Sequence, residues 1–254
     1  MARNFGNLAT NYLLLQQAGT NKKPVLFSRN GFYVSGSIWF RPDGVGQRQD
    51  FISLAHPSNT PTCLFAISSG AHNLAIYSNS GFATGPVVPL NVGVWVQVGF
   101  SWYLNGTVKF YINGQLRGTA VRTLGGTDTV GMALGTANPA VGTARCNGAL
   151  AESALWVSDL DGGDWAALGR GVSPLLVRRN TLVSHVGLNT PGSSERDSVT
   201  GWQWNVNGTL PVVAHPPVAR VDVWRPAWRV PTASAFKAGW ARGCNALVMS
   251  GRAA

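Results

Sequence analysis

Two Asn-Gly pairs, Asn105-Gly106 and Asn113-Gly114, constrain this chain more than any other feature. They interrupt alternating apolar runs. Trp95, Val96, Val98, Phe100 and Trp102 precede the first pair, Val108, Phe110 and Ile112 lie between the two, and a third run opens at Gln115. Asn-Gly suits two-residue hairpin turns, because both central residues of a type I′ turn take positive φ. Residues 94–119 are therefore predicted to form three antiparallel strands.

The rest of the chain follows the same texture. With 31 Gly, 14 Pro and only 12% charged residues, it favours strands and turns, and no window keeps a helical period beyond about three turns. Its 254 residues suit one large β domain or two small ones, with enough length to bury a core without staples. Further strands are predicted at 12–16, 34–41, 51–55, 62–68, 73–78, 130–134 and 148–157, the spacing of a sandwich. Trp202 and Trp204 alternate like one last strand. One short helix is expected near 160–168. Ser158 or Asp159 would cap it, Asp161 and Asp164 would sit in its first turn, and Gly169 and Gly171 would end it. Trp165, Leu168 and Ala166 would face the sheet.

From residue 215 the texture changes. Pro216, Pro217, Pro226 and Pro231 exclude a central strand or a long helix. Arg220, Arg225, Arg229, Lys237, Arg242 and Arg252 face a single acid, Asp222, with Trp224, Trp228 and Trp240 interleaved. This reads as an extended arm, residues 215–254, following a body of residues 1–214. The net charge of +10 implies an acidic partner of some kind. The arm lacks the dense charge runs of a nucleic-acid tail, so nucleic acid is disfavoured. Cys63, Cys146 and Cys244 are an odd set without metal-ligand spacing, which points to free thiols and a reducing compartment. No signal-peptide run and no stretch of 18 apolar residues occurs, so synthesis and folding in a cytoplasm, with no membrane partner, are expected.

The residues carry a family likeness. The 95–102 strand followed by Val108-Lys109-Phe110-Tyr111-Ile112-Asn113-Gly114 resembles the strand and hairpin of concanavalin A-like, laminin-G-like domains. Gly148-Ala149-Leu150-Ala151-Glu152-Ser153-Ala154-Leu155-Trp156, with the helix after it, is similar to a later strand of that family. Ser37-Ile38-Trp39-Phe40-Arg41-Pro42 resembles an early one. The likeness spans roughly residues 4–188, and 189–214 reads as a closing segment. It implies an all-β fold, a two-sheet antiparallel jelly-roll sandwich with one short helix and the extended C-terminal arm. The family pattern has Asp where this chain has Asn113 and Ala151. A second likeness, of 182–188, 207–209 and 215–218 to the ends of laminin-G-like proteins encoded in phage genomes, implies a virion.

Site chemistry narrows the choice. Glycanases of this fold carry paired carboxylates along one strand (Glu-x-Asp-x-x-Glu), whereas the matching strand here holds Glu152 alone, and Glu195 is expected in a loop. Retaining and inverting glycosidases both need two carboxyls, so no catalytic residue is assigned and an enzyme is not expected. Asp159, Asp161 and Asp164 resemble the start of a calcium loop, but the twelfth position is Arg170 where such a loop needs Glu. Helix capping explains the three acids, no metal ligand or cofactor is assigned, and loop calcium has no support of its own. His185 is expected to be a packed or surface residue in an alternating strand. No nucleophile elbow is present.

These readings lead to a non-enzymatic structural protein of a phage particle. In that reading it is made in the host cytoplasm and resides in the virion as a capsid decoration or cement protein. Arg220, Trp224, Arg225, Trp228, Arg229, Trp240 and Arg242 would dock the arm on major capsid or other virion proteins, with homo-oligomer contacts, because Trp and Arg are enriched at interface hot spots. The N-terminal segment would help bridge subunits. The alternative is a carbohydrate-binding, lectin-like fibre or host-recognition module, with Phe82, Trp202 and Trp204 as candidate contacts to a surface glycan.

Overall fold

The computed structural model describes residues 1–6, 11–15, 33–55, 61–78, 81–123, 131–137 and 146–219. The chain divides into two units, Met1–Ala219 and Arg220–Ala254. The second lies outside the described residues, so the first is described by itself.

Its strands, in order, are β1 Ala2–Asn4, β2 Tyr12–Leu15, β3 Tyr33–Pro42, β4 Gln49–Ala55, β5 Pro61–Ile67, β6 Asn73–Ser78, β7 Gly81–Val87 and β8 Val96–Tyr103. They continue as β9 Thr107–Ile112, β10 Gln115–Val121, β11 Gly131–Leu134, β12 Gly148–Trp156, β13 Leu182–Val186, β14 Ser194–Arg196, β15 Gln203–Asn207 and β16 Val212–Val213. Helix α1, Gly162–Gly169, and a 3-10 turn, Pro174–Leu176, lie between β12 and β13. One sheet runs β10-β9-β8-β3-β12-β1-β16, with β13 also paired to β12. The other runs β14-β15-β2-β11-β4-β5-β6-β7. The ladders are antiparallel. This is the two-sheet jelly-roll sandwich that the resemblance implied.

The inner faces alternate as period-2 strands must. Phe40 and Phe100 from the first sheet meet Phe51 and Phe65 from the second, with ring centroids 4.9, 5.6 and 4.8 Å apart along the series Phe40–Phe51–Phe65–Phe100. These tilted rings join the two layers into one core, and each contributes more than its buried area alone.

Strands β8, β9 and β10 are the three predicted from the Asn-Gly pairs, but only one turn has the expected form. Asn113 and Gly114 both take positive φ, 49° and 75°. At the first turn Gly106 is left-handed, φ 85°, and Asn105 is not. Residues 104–106 make a three-residue loop, closed by the Gly106 N–H donating to Tyr103 O at 2.9 Å. The Asn105 side chain accepts the Thr107 N–H instead.

Helix α1 lies against the outer face of the first sheet. Trp165 and Leu168 are buried there, with Ala167 packed against the cluster where Ala166 was expected. Trp165 stacks on Tyr111 at 4.1 Å, 10° from parallel. Gly99 makes the slot, since a Cβ there would stand 2.3 Å from Trp165 Cζ3. The cap is Asp161, not Ser158 or Asp159. Its carboxylate accepts from Gly163 N and Asp164 N, while Asp164 accepts from Asp161 N, a reciprocal capping box.

The ends of the unit also depart from expectation. Ala2–Asn4 is a strand inside the sandwich, between β12 and β16, where a bridge to neighbouring subunits was expected. Glu195 is not in a loop; it lies buried in β14. Arg3 Nε donates to Glu195 Oε1 at 2.7 Å, both side chains 2% exposed. The rest of the Arg3 guanidinium donates to the carbonyls of Leu210, Gly192 and Thr190. His215 to Ala219 were expected in the arm but lie on the sandwich. Val218 packs with Ala2, Trp39 and Ala151, and Ala219 bridges Val172.

Candidate functional site

The most unusual polar group sits in β12. Ala151 pairs with Trp39 and Ala154 with Ser37, so β12 takes three steps where β3 takes two. That bulge falls at Glu152, whose φ is 51°. A bulge re-aims a side chain, and this one brings Glu152 to two imidazoles. His185, opposite Ala154 on β13, places Nε2 2.8 Å from Glu152 Oε2. His215 places Nε2 3.0 Å from Oε1, at ion-pair distance but off the hydrogen-bond axis. Glu152 is 3% exposed and His185 4%. Burial pushes the Glu152 carboxyl up, but the contacts with His185 and His215 outweigh it and hold the group at about 2, against an ordinary 4.5.

This arrangement confines a charge beneath the surface. Paired-carboxylate hydrolysis needs a second acid about 5–9.5 Å away and open to substrate. Strand β12 carries no other acid, and an imidazole lies against each Glu152 oxygen. The sequence singled out Glu152 but neither histidine as its partner, because the three residues come from separate segments that only the folded sheet and the strap after β16 bring together.

A second region lies on the outer face of the second sheet. Tyr77 is directly opposite Phe82 on β7 and opposite Leu64 on β5, so the three share a face. Phe82 is 44% exposed. Tyr77 meets it edge-on at 4.9 Å and 64°, and the Arg48 guanidinium lies 5.2 Å from its centroid. Arg48 is itself fixed by Asp50, Nε to Oδ1 2.7 Å. Of the three aromatics named for glycan contact, Phe82 is the one with an exposed ring. Trp204 is fully buried in the inter-sheet core, which corrects that expectation: its ring is packed on every side and has no face for a sugar. Trp202 is half-buried against the same core.

The acids near α1 have structural partners. Asp159 accepts from Tyr103 Oη at 2.8 Å. Asp161 and Asp164 cap the helix and pair with Arg178 at 2.5 and 2.6 Å. Among the described residues no cluster of three His, Cys, Asp or Glu could hold a metal ion. Nor is any helix among them long and apolar enough to cross a membrane. Arg220, Trp224, Arg225, Trp228, Arg229, Trp240 and Arg242 lie outside the described residues. Cys146 is a buried thiol, which burial, with Asp50 and Asp43 nearby, pushes well above its ordinary range.

An antiparallel two-sheet jelly roll with a short helix packed on one outer face defines a class of lectin-like domains. The chain belongs to the concanavalin A-like lectin/glucanases superfamily, whose family model matches residues 16–163. No curated protein sequence matches it. Among solved structures, one similar chain is a Bacteroides ovatus ATCC 8483 protein proposed to bind carbohydrate, with TM-score 0.60 and 16% identity; the match covers 86% of this chain and 61% of that one. Another is the heptameric SAP-like pentraxin of Limulus polyphemus, with TM-score 0.58 and 13% identity, covering 84% of this chain and 94% of that one. At these identities the likeness is one of fold.

Proposed function

We propose that the Met1–Ala219 unit is a non-catalytic recognition module that binds carbohydrate, with Phe82 as its stacking platform. The observation that carries this reading is the exposed Phe82 ring, braced by Tyr77 and Arg48, in a member of a superfamily of lectins and glucanases. A ring already held by neighbours loses little freedom when a sugar stacks on it. The Bacteroides ovatus neighbour, proposed to bind carbohydrate, supports the same ligand class. Glu152 supports the non-catalytic part, since its carboxylate is buried against two histidines. The test is a glycan array probed with the wild-type chain and with Phe82→Ala. Wild type should bind a restricted set of glycans, and the variant, with an unchanged melting temperature, should bind them about tenfold more weakly. Failure of the wild type to bind any glycan, or full binding by the variant, overturns the reading.

A second reading rests on the Trp- and Arg-rich residues 215–254. In it the protein is a structural component of a phage virion, a capsid decoration or cement protein whose arm docks on capsid or other virion subunits. Trp and Arg anchors of that kind suit buried interfaces. Particles assembled with a chain lacking residues 221–254 should not retain it; normal occupancy would defeat this reading. The two readings are compatible in one protein, as a glycan-binding body and a docking arm.

A further inference from the structure

The hydrogen-bond partners of His215 fix its protons. Its Nδ1 lies 2.9 Å from the carbonyl oxygen of Pro216. A carbonyl only accepts, so Nδ1 carries a hydrogen. In a neutral imidazole the other nitrogen is then bare. Yet Nε2 lies 3.0 Å from Glu152 Oε1, on a buried carboxylate whose other oxygen lies 2.8 Å from His185 Nε2. A bare nitrogen lone pair against a buried carboxylate oxygen brings two electron-rich atoms into contact, which no buried site sustains without cost. One added proton turns that contact into an attraction between imidazolium and carboxylate. His185 needs no such proton, because its neutral form can donate from Nε2 to Oε2 at 2.8 Å.

His215 also occupies a position where this matters. The segment after β16 crosses the outer face of the first sheet. Val218 packs on the Trp39 cluster, the Ala219 N–H donates to Gly171 O at 2.7 Å, and residue 220 follows. We propose that Glu152 and His215 form a proton-dependent latch that fastens the strap 212–219 to the sandwich. The latch is closed while the pair holds its extra proton and opens when rising pH removes it. The charged groups on the surrounding elements do not replace that proton. On β13, His185 holds the other Glu152 oxygen. Asp197 behind it holds Ser184 Oγ and the turn N–H groups of Val199 and Thr200. Arg3 of β1 is paired with Glu195. Arg41 of β3 lies over Trp95 and near Asp43. Arg170 follows α1 beside Gly171 and is its C-cap residue.

The test uses the full chain and hydrogen–deuterium exchange of the peptide containing residues 212–219, corrected for the chemical exchange rate. Between about pH 5.5 and about pH 8.5, a span that brackets histidine titration, its protection should fall about tenfold in the wild type. In His215→Gln, whose amide donates without titrating, protection should be flat across that span. Nitrogen-15 spectra of labelled histidine give a readout without mutation: His215 should show two protonated nitrogens at the low end and one at the high end. A flat wild-type profile, an unchanged slope in His215→Gln, or a single protonated nitrogen throughout overturns the latch. So does loss of protection at low pH on adding EDTA, which would put a metal rather than a proton between the two side chains.

Discussion

A glutamate held at φ 51° has left the ordinary strand conformation, and its side chain gives the reason. Only from the bulge does Glu152 reach both His185 and His215, so the strained backbone is maintained by two polar contacts made elsewhere in the chain. The same contacts set an acid limit on stability. In the unfolded chain the carboxyl returns to its ordinary 4.5, while the folded protein holds it at about 2. Between those values the unfolded state binds more protons, so on the acid side the contribution is complete above about pH 4.5 and disappears as pH falls toward 2, while on the alkaline side the His215 part of it ends where the latch opens. Its size is on the order of 3 kcal/mol. Urea midpoints measured at neutral pH and near pH 3 should therefore drop further for the wild type than for Glu152→Gln, which has no such proton to take up. The sequence marked Glu152 as the lone acid on its strand; nothing local marked its histidines. Trp204 illustrates a different limit. The alternation of Trp202 and Trp204 correctly indicated a strand, β15, but period two does not say which side faces the core when a strand has two faces.

At the scale of elements, what could be read depended on length. Strands of six or more residues with clean alternation, such as β8, β9 and β6, were legible to within a residue or two. Strand β7 escaped because Gly81, Gly85 and Pro86 dilute its pattern, and a proline is tolerated there because β7 is the last strand of its sheet. Strands β1, β14 and β16 are two or three residues long, too short for any period to register. The helix was legible, but its cap was misplaced by two or three residues, since four candidate Ser and Asp side chains crowd residues 158–164. Asp161 fixes the start of α1, and α1 in turn seats Trp165 over Gly99. Asp161→Ala should cost about 1 kcal/mol, while Gly99→Ala should cost about 1–3 kcal/mol because the added methyl meets the indole. Chemical denaturation of the two variants measures both. A neutral Gly99→Ala would mean that Trp165 does not rest where the Gly99 slot holds it.

Across the whole molecule, the sandwich draws on segments from both ends of the Met1–Ala219 unit. The family match ends at residue 163, yet the sandwich is completed by later segments. Strand β13 adds to β12, β14 and β15 extend the second sheet, and β16 borders β1. Arg3 gathers these late pieces: one guanidinium binds Glu195 and three carbonyls between residues 190 and 210. Such a buried pair was invisible in sequence because its members lie at opposite ends of the unit, each in a strand too short to announce itself. Removing one member leaves the other charged, buried and unpaired, which costs about 3–5 kcal/mol. Arg3→Ala should therefore lower the melting temperature sharply, by roughly 6–20 °C for a domain of this size. Removal of residues 221–254 leaves every contact among the described residues of the Met1–Ala219 unit in place, so that unit should still melt as a folded sandwich. Calorimetry on the two variants distinguishes a body closed by its own N-terminal strand from one that depends on its arm. Comparable losses in both would mean that the Met1–Ala219 unit does not stand alone, and a binding defect in the arm deletion could then no longer be assigned to docking.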